Sequence, residues 1–213
     1  RTNDMARMNN LCFKASKFAF ILFFTISLFI FYELETLLKI WLGTIPEYCT
    51  PFIYLIIINS CIELFSTPLM YITQATGKIK VYFIVVSSII TMIIPISYIW
   101  LKNGGEPYVV TITTIIINLI LLYVRSSFVK RATSFAIKRY WINVILPAFC
   151  IMIISYSAIL IIVLISNNYI KFFTSLLSAP IIVCILSYYL LLNREERLFF
   201  SHYVHKYKKY FIK

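Results

Sequence analysis

The chain has 213 residues, of which 61% are hydrophobic and only 13% are charged, and its net charge is +12. A water-soluble domain usually has about 45–50% apolar and about 25% charged residues, which cover its surface. This composition excludes a soluble globular protein, and the excess apolar surface is expected to face lipid.

Six apolar stretches follow one another along the chain, and each is long enough to cross a membrane. About 20 apolar residues in a helix span the hydrocarbon layer, whereas a barrel strand needs about 10 residues of alternating polarity. Since backbone groups in lipid must bond internally, we predict an all-α membrane protein, a bundle of six transmembrane helices. These helices are predicted at approximately residues 18–38, 52–73, 82–101, 108–124, 141–165 and 172–192. Glu33 and Glu35 are expected to break the outer end of the first helix.

Lysine and arginine are distributed unequally among the connecting segments. Of the 20 such residues, 17 lie before the first helix, in the second–third and fourth–fifth connections, and in the tail. Because cytoplasmic connections carry the excess of positive charge, both ends of the chain are predicted to be cytoplasmic. We call this face of the membrane the basic side. The dispersal of these charges among the helices argues against a nucleic-acid-binding patch.

The segments that flank the helices complete the predicted organisation. Residues 1–17 are interpreted as a cytoplasmic loop or helix end, 18–130 as a four-helix part of the bundle, 131–192 as the last two transmembrane helices, and 193–213 as a basic, aromatic cytoplasmic tail. The chain begins with Arg1 rather than Met, so we expect it to be the C-terminal piece of a longer polypeptide. A shortened or wrongly assigned start is the alternative.

Metal binding and enzymatic chemistry find little support in the residue pattern. His202 and His205 could share a helix face, but a third metal ligand is not apparent, so an interfacial helix is favoured. The five cysteines include no CxxC pair and are interpreted as packing residues. The sequence contains no Walker A, GxGxxG or HExxH motif. We therefore predict a protein that is not an enzyme and holds no metal.

The second predicted helix carries a polar face. On helical geometry, Asn59, Glu63, Ser66, Met70 and Gln74 fall within about 80° of one another. Glu63 is interpreted as the only carboxylate deep inside a helix, where it must find a cation, a proton or a water-filled cavity. It therefore belongs either to an ion-coupling site or polar substrate path, or to a protonated carboxyl bonded to a neighbouring helix.

The fourth predicted helix carries a second polar face. Thr111, Thr114, Asn118 and Arg125 lie within about 60° of one another on helical geometry. The face is expected to border protein or a water-filled cavity. Helix packing is the alternative, because threonine hydroxyls can bond their own helix backbone. Pro95 and Pro180 predict bends in the third and sixth helices.

Several short runs resemble a known family of transporters. They include IWLG at residues 40–43, INSCIE at 58–63, STPL at 66–69 and QATGKIK at 74–80. Over approximately residues 5–130 the chain resembles the C-terminal half of bacterial polysaccharide flippases, the Wzx-type O-antigen and exopolysaccharide transporters. These belong to a superfamily with the MATE drug exporters and the lipid II flippase.

This resemblance implies a fold and an activity. Members have 12–14 membrane helices in two bundles and move undecaprenyl-pyrophosphate-linked oligosaccharide from the inner to the outer leaflet of the bacterial cytoplasmic membrane. The implied partners are that lipid, membrane lipids, and polysaccharide polymerase or other assembly proteins, without nucleic acid. No cofactor is implied beyond coupling to H⁺ or Na⁺.

Site residues and alternatives also follow from the resemblance. Glu63 lies in the helix that corresponds to one bearing a cation-site acid in some drug-exporting relatives. Lys78 and Lys80 match the GKIK run, although positive charge on the basic side explains them more simply. A cation-coupled multidrug or metabolite exporter of the same fold is the first alternative. A membrane scaffold or a non-functional fragment is the second.

Overall fold

The computed structural model describes residues 2–77, 79–133, 135–165, 171–193 and 196–197, and every regular element among them is a helix. The α-helices are α1 (Thr2–Leu42), α2 (Cys49–Ala75), α3 (Ile79–Thr91), α4 (Ile93–Lys102), α5 (Val109–Ala132), α6 (Ile137–Tyr140), α7 (Leu146–Ile165) and α8 (Lys171–Leu186). A π-helical turn at Trp141–Ile145 joins α6 to α7, and another at Ser187–Leu191 follows α8.

Six helical segments of the described chain are long and apolar enough to cross a membrane. They are Arg7–Leu42, Cys49–Ala75, Ile79–Lys102, Val109–Ala132, Ile137–Ile161 and Thr174–Leu191. By length and composition, the chain is therefore a multi-pass, all-α membrane protein, which confirms the predicted fold class. Most of these helices extend beyond the apolar stretches, because helical hydrogen bonding continues where the side chains become polar.

The first helix differs most from its prediction. Helix α1 begins at Thr2, so residues predicted as a loop or helix end belong to a continuous helix. The break expected at Glu33 and Glu35 is found as a kink at Glu33, which alone leaves helical geometry with φ −101° and ψ 15°, and the helix then continues to Leu42. Leu34 and Leu38 are both 3% exposed beyond the kink, so their packing holds the last turns in place.

The third membrane segment is bent where proline predicted it. Pro95 has no N–H to donate to the carbonyl of Thr91, one turn earlier, and the helix is divided at Met92 into α3 and α4. Helical bonding resumes between the N–H of Ile96 and the carbonyl of Met92, at 3.2 Å. Helix α8, in contrast, passes Pro180 without interruption.

The helices form two groups that meet along α1 and α2. One group contains α1, α7 and α8, and the other contains α2, α3, α4 and α5. The main core joins them through Phe20, Phe65, Tyr140 and Ile151, and a smaller cluster around Tyr82 and Ile117 fills the space between α3 and α5. Many large apolar side chains point outward instead, including Trp41, Ile94 and Leu22 at 70% exposed or more, which suits a lipid-facing surface.

Tyr140 joins three helices near the basic side. Its hydroxyl lies 2.8 Å from that of Ser16 on α1, and it donates to the carbonyl oxygen of Phe65 on α2, also at 2.8 Å. The ring is fully buried. Because a buried hydroxyl with two partners ties helices together in one geometry, Tyr140 is a structural link within the bundle.

Replacing Tyr140 with phenylalanine is expected to destabilise the bundle. The change removes the buried hydrogen bonds that the hydroxyl makes with the Phe65 carbonyl and with Ser16, at a cost of about 1–3 kcal/mol. The unfolding midpoint in detergent micelles should fall by roughly 3–10 °C. Tyr123→Phe is the matched control, because that side chain is 70% exposed and its midpoint should not change. Equal midpoints for the two variants would contradict the role given to Tyr140.

Candidate functional site

Three polar side chains of α2 and α5 meet near the middle of both helices. The Asn118 amide donates to Asn59 Oδ1 at 2.8 Å and to Glu63 Oε1 at 3.0 Å. The Asn59 amide donates to the same carboxylate oxygen at 3.3 Å. We call Asn59, Glu63 and Asn118 the polar triad. The structure thus brings together three of the predicted site residues: Asn59 and Glu63 from α2, and Asn118 from α5.

The triad is open to the outside of this helix bundle. Glu63 is exposed, whereas Asn59 and Asn118 are half-buried between α2 and α5. The two amides orient one carboxylate oxygen, and among the described residues the other oxygen has no hydrogen-bond partner. An outward-facing carboxylate in hydrocarbon is costly, so this surface must border water or polar protein. It can therefore accept hydrogen bonds from hydroxyl groups or bind a cation.

A cation lies on the same side of the α2–α5 pair, nearer the basic side. Arg125 Nη1 donates to the buried Ser66 hydroxyl at 2.9 Å. The Arg125 side chain is itself half-buried between the two helices. Arg125 follows Asn118 by seven residues, which is roughly 10 Å along α5. The surface therefore presents a carboxylate at mid-depth and a guanidinium two turns away.

The other predicted site residues do not join the triad. The Thr114 hydroxyl bonds its own helix at the Val110 carbonyl, 2.9 Å away, as the packing alternative had proposed. Thr111 and Gln74 are half-buried, and neither side chain bonds another described residue. Lys80 is exposed at the start of α3, and Lys78 lies outside the described residues.

A second carboxylate, Glu33, is buried inside the bundle. It is 4% exposed at the kink of α1, and the Ser175 hydroxyl of α8 donates to its Oε1 at 2.9 Å. The prediction that Glu63 is the only carboxylate inside a helix is therefore wrong. Sequence reasoning missed the burial of Glu33 because the two acidic residues were interpreted only as a break in the outer end of the first helix. The signal was present, since the sequence becomes apolar again at Leu37 and Leu38.

An ion pair at the other end of α1 was also missed. Lys17 Nζ lies 2.9 Å from Glu196 Oε2, and the two side chains are 1% and 7% exposed. The same carboxylate oxygen accepts the backbone N–H of Asn193 at 2.8 Å. Lys17 had been assigned only to the positive charge of the basic side. Its burial instead anchors the segment after the last helix to α1.

The described part of the chain contains no cluster of metal-binding side chains. Among those residues, no group of three or more His, Cys, Asp or Glu side chains could hold a metal ion. His202 and His205 lie outside the described residues. The described residues thus present three polar sites between apolar helices: the polar triad with Arg125, the Glu33–Ser175 pair and the Lys17–Glu196 pair.

Together, the fold and these sites define a multi-pass α-helical membrane protein with an open polar surface along one helix pair. Comparison of the chain with protein-family models, with curated proteins and with solved structures gave no match. The function is therefore argued from the sites and from the residue pattern.

Proposed function

We propose that this chain forms one helix bundle of a transporter for undecaprenyl-pyrophosphate-linked oligosaccharide, an O-antigen, capsule or exopolysaccharide repeat unit. Transport runs from the inner to the outer leaflet of a bacterial cytoplasmic membrane by alternating access. The observation that carries the proposal is the polar triad, whose carboxylate faces out of the bundle at mid-depth. A second bundle facing this surface would enclose a polar cavity between them.

The energetics of the reaction require such a cavity. Each sugar hydroxyl that enters hydrocarbon without a partner loses its hydration, at a cost of several kcal/mol by hydrocarbon-transfer scales. A path lined by amide and carboxylate groups replaces that hydration, while the lipid chain stays in the bilayer. Asn59, Glu63 and Asn118 supply donors and acceptors of this kind, oriented by their mutual hydrogen bonds.

The position of Arg125 suits the charged part of the substrate. A guanidinium binds phosphate oxygens through several parallel N–H donors, and the half-buried Arg125 side chain is held in place by the Ser66 hydroxyl. It lies on the basic side of the triad, where a pyrophosphate entering from the inner leaflet would arrive first. A sugar chain ahead of it would then reach the triad.

Glu33 is our candidate for ion coupling. A carboxylate buried among membrane helices must carry a proton, bind a cation or pair with a positive group. Among the described residues, Glu33 has no cationic partner, and it accepts the Ser175 hydroxyl across the α1–α8 contact. Uptake and release of H⁺ or Na⁺ there would change that contact, which could bias the bundle between two arrangements.

A cation-coupled exporter of drugs or metabolites is the second candidate function. The exposed carboxylate of Glu63 favours it, because a cationic drug would be attracted to an unpaired negative charge. The pyrophosphate substrate is favoured by Arg125, which would repel such a drug. The two functions therefore make opposite demands on the same surface.

Variants of this surface test the proposal in cells that carry the complete gene. Glu63→Gln and Arg125→Ala are each expected to lower transport by at least about tenfold, because each removes a charged hydrogen-bonding group from the path. The measurement is the distribution of lipid-linked oligosaccharides between the two leaflets, together with the amount of surface polysaccharide. The lipids should accumulate in the inner leaflet.

Matched controls come from the same helix and a nearby turn. Lys130→Ala removes an exposed cation from α5, and Glu47→Gln removes an exposed carboxylate before α2, so both should transport normally. Wild-type transport by Glu63→Gln and Arg125→Ala would refute the site. An unchanged lipid distribution after complete deletion of the gene would refute the substrate and favour drug or metabolite export.

A further inference from the structure

An apolar groove of about 700 Å³ opens between α1, α2, α5 and α7, away from the sites described above. Phe24, Leu28 and Cys61 are buried at its floor, and Leu119 and Phe149 are more than half exposed on its walls. Few polar groups line it, and one of them, the Ser157 hydroxyl, donates to the Ile154 carbonyl of its own helix. The groove therefore offers almost only carbon to an occupant.

A groove of this kind inside a bilayer is filled by hydrocarbon. An empty groove would leave its lining atoms without dispersion contacts, and water does not fill a site without polar partners. The volume lies within the range of about 300–1,000 Å³ that is usual for small-molecule sites. An alkyl chain from the surrounding lipid is the occupant that satisfies both conditions.

The wall formed by α7 gives the groove a direction. Its lining extends from Trp141, at the basic side, to Tyr156, a distance of roughly 22 Å along the helix. This length exceeds the thickness of the hydrocarbon of one leaflet, which is about 15 Å. An acyl chain in the groove would therefore lie along the helix rather than across it. Lys138 is exposed one helical turn before Trp141 and on the same face of the helix. A positive charge thus stands at the basic end of an apolar groove.

We propose that this groove binds one acyl chain of an anionic glycerophospholipid, whose phosphate group is held by Lys138. The site complements that lipid. The Lys138 cation lies at the membrane surface, where the phosphate group lies, and the apolar lining lies below it, where the acyl chain lies. The bound lipid would act as a resident part of the bundle, filling the space between its two helix groups.

The proposed lipid is distinct from the substrate proposed above, and the inference does not depend on that function. On α2, the groove residues and the polar triad point about 150° apart, and on α5 they point about 70° apart. The groove and the triad therefore open to different sides of the α2–α5 pair, whose two helices pack against each other.

Photolabelling of the complete protein in vesicles tests the proposal. The probes are phosphatidylglycerol and phosphatidylcholine, each with a diazirine in the middle of one acyl chain, and mass spectrometry quantifies labelling at Phe149 and Met152. We expect about fivefold more labelling by phosphatidylglycerol. Lys138→Gln should remove this preference while leaving labelling by phosphatidylcholine unchanged, which also shows that the variant is folded. Arg139→Gln is the matched control, since Arg139 is exposed but lies on another face, and it should keep the preference.

A second variant and three outcomes make the test decisive. Ile153→Trp fills the groove and should reduce labelling by both probes. Equal labelling by the two lipids, unaffected by Lys138→Gln, would show ordinary bilayer contact and overturn the proposal. Absence of labelling would show that another helix bundle or a second copy covers the groove. Displacement by a small amount of polyisoprenyl phosphate would assign the groove to that lipid instead.

Discussion

Replacing Lys17 with methionine is expected to increase the rate of tryptic cleavage after Arg197 by about a hundredfold or more. Lys17 and Glu196 form a buried ion pair at 2.9 Å, and removal of one partner leaves the other charge buried and unpaired. That loss costs about 3–5 kcal/mol, which the chain can escape by releasing the segment that carries Glu196. The released segment becomes accessible, so cleavage follows the population of the open form.

Cleavage of the peptide bond after Arg197 is a suitable measure of the release of this segment, because Arg197 is held by several contacts when the segment is docked. In the docked segment, its guanidinium donates to the carbonyls of Leu192 at 3.0 Å and Tyr189 at 2.6 Å, and it lies over the ring of Tyr188. Trypsin cannot bind the side chain in that arrangement.

The control for this prediction is Lys14→Met, which removes an exposed cation one turn earlier on α1 and should leave the cleavage rate unchanged. The double variant Lys17→Met with Glu196→Met removes both charges, so its rate should return to within a few-fold of the wild type. A single variant cleaved as slowly as the wild type would show that the pair does not hold the segment.

Replacing Glu33 with glutamine is expected to lower transport at least tenfold without unfolding the protein. Glutamine has nearly the same shape, and its carbonyl oxygen can still accept the Ser175 hydroxyl, so the α1–α8 contact is retained. It cannot take up and release a proton or bind a cation as a carboxylate does. If Glu33 couples transport to an ion gradient, the variant should fold normally and transport slowly.

The measurement is transport of lipid-linked oligosaccharide in cells before and after collapse of the proton or sodium gradient. Wild-type transport should fall on collapse of one gradient, whereas Glu33→Gln should be slow under both conditions. Glu35→Gln is the control, because Glu35 is an exposed carboxylate two residues away on the same helix. Normal, gradient-dependent transport by Glu33→Gln would remove Glu33 from the coupling mechanism, while the substrate path at Glu63 would remain open to its own test.

Part of the candidate site could be predicted before the structure was known. Helical periodicity placed Asn59 and Glu63 on one face of α2 and Asn118 on one face of α5, because residues three or four apart share a side of a helix. The structure joins these faces through the hydrogen bonds of the polar triad. Periodicity could not separate Thr114 from this set, since whether a threonine hydroxyl bonds its own backbone depends on its rotamer.

The sequence by itself determined that the described part of the chain forms six helices long and apolar enough to cross a membrane. Apolar stretches of about 20 residues have one stable backbone conformation in lipid, so the helices follow from local composition alone. The division at Met92 agrees with the missing N–H of Pro95, which is a local property, but local sequence did not decide the outcome at Pro180, because α8 continues through that residue.

The tertiary structure decided which polar groups meet across the bundle. Glu33 and Ser175 are 142 residues apart in the sequence, and Lys17 and Glu196 are 179 apart. Periodicity gives the faces of a single helix, but the pairing of faces depends on how all six helices pack together. For that reason Lys17 was predicted only as a charge of the basic side and Glu33 only as a break in the first helix, although each side chain is buried against a partner in the folded chain.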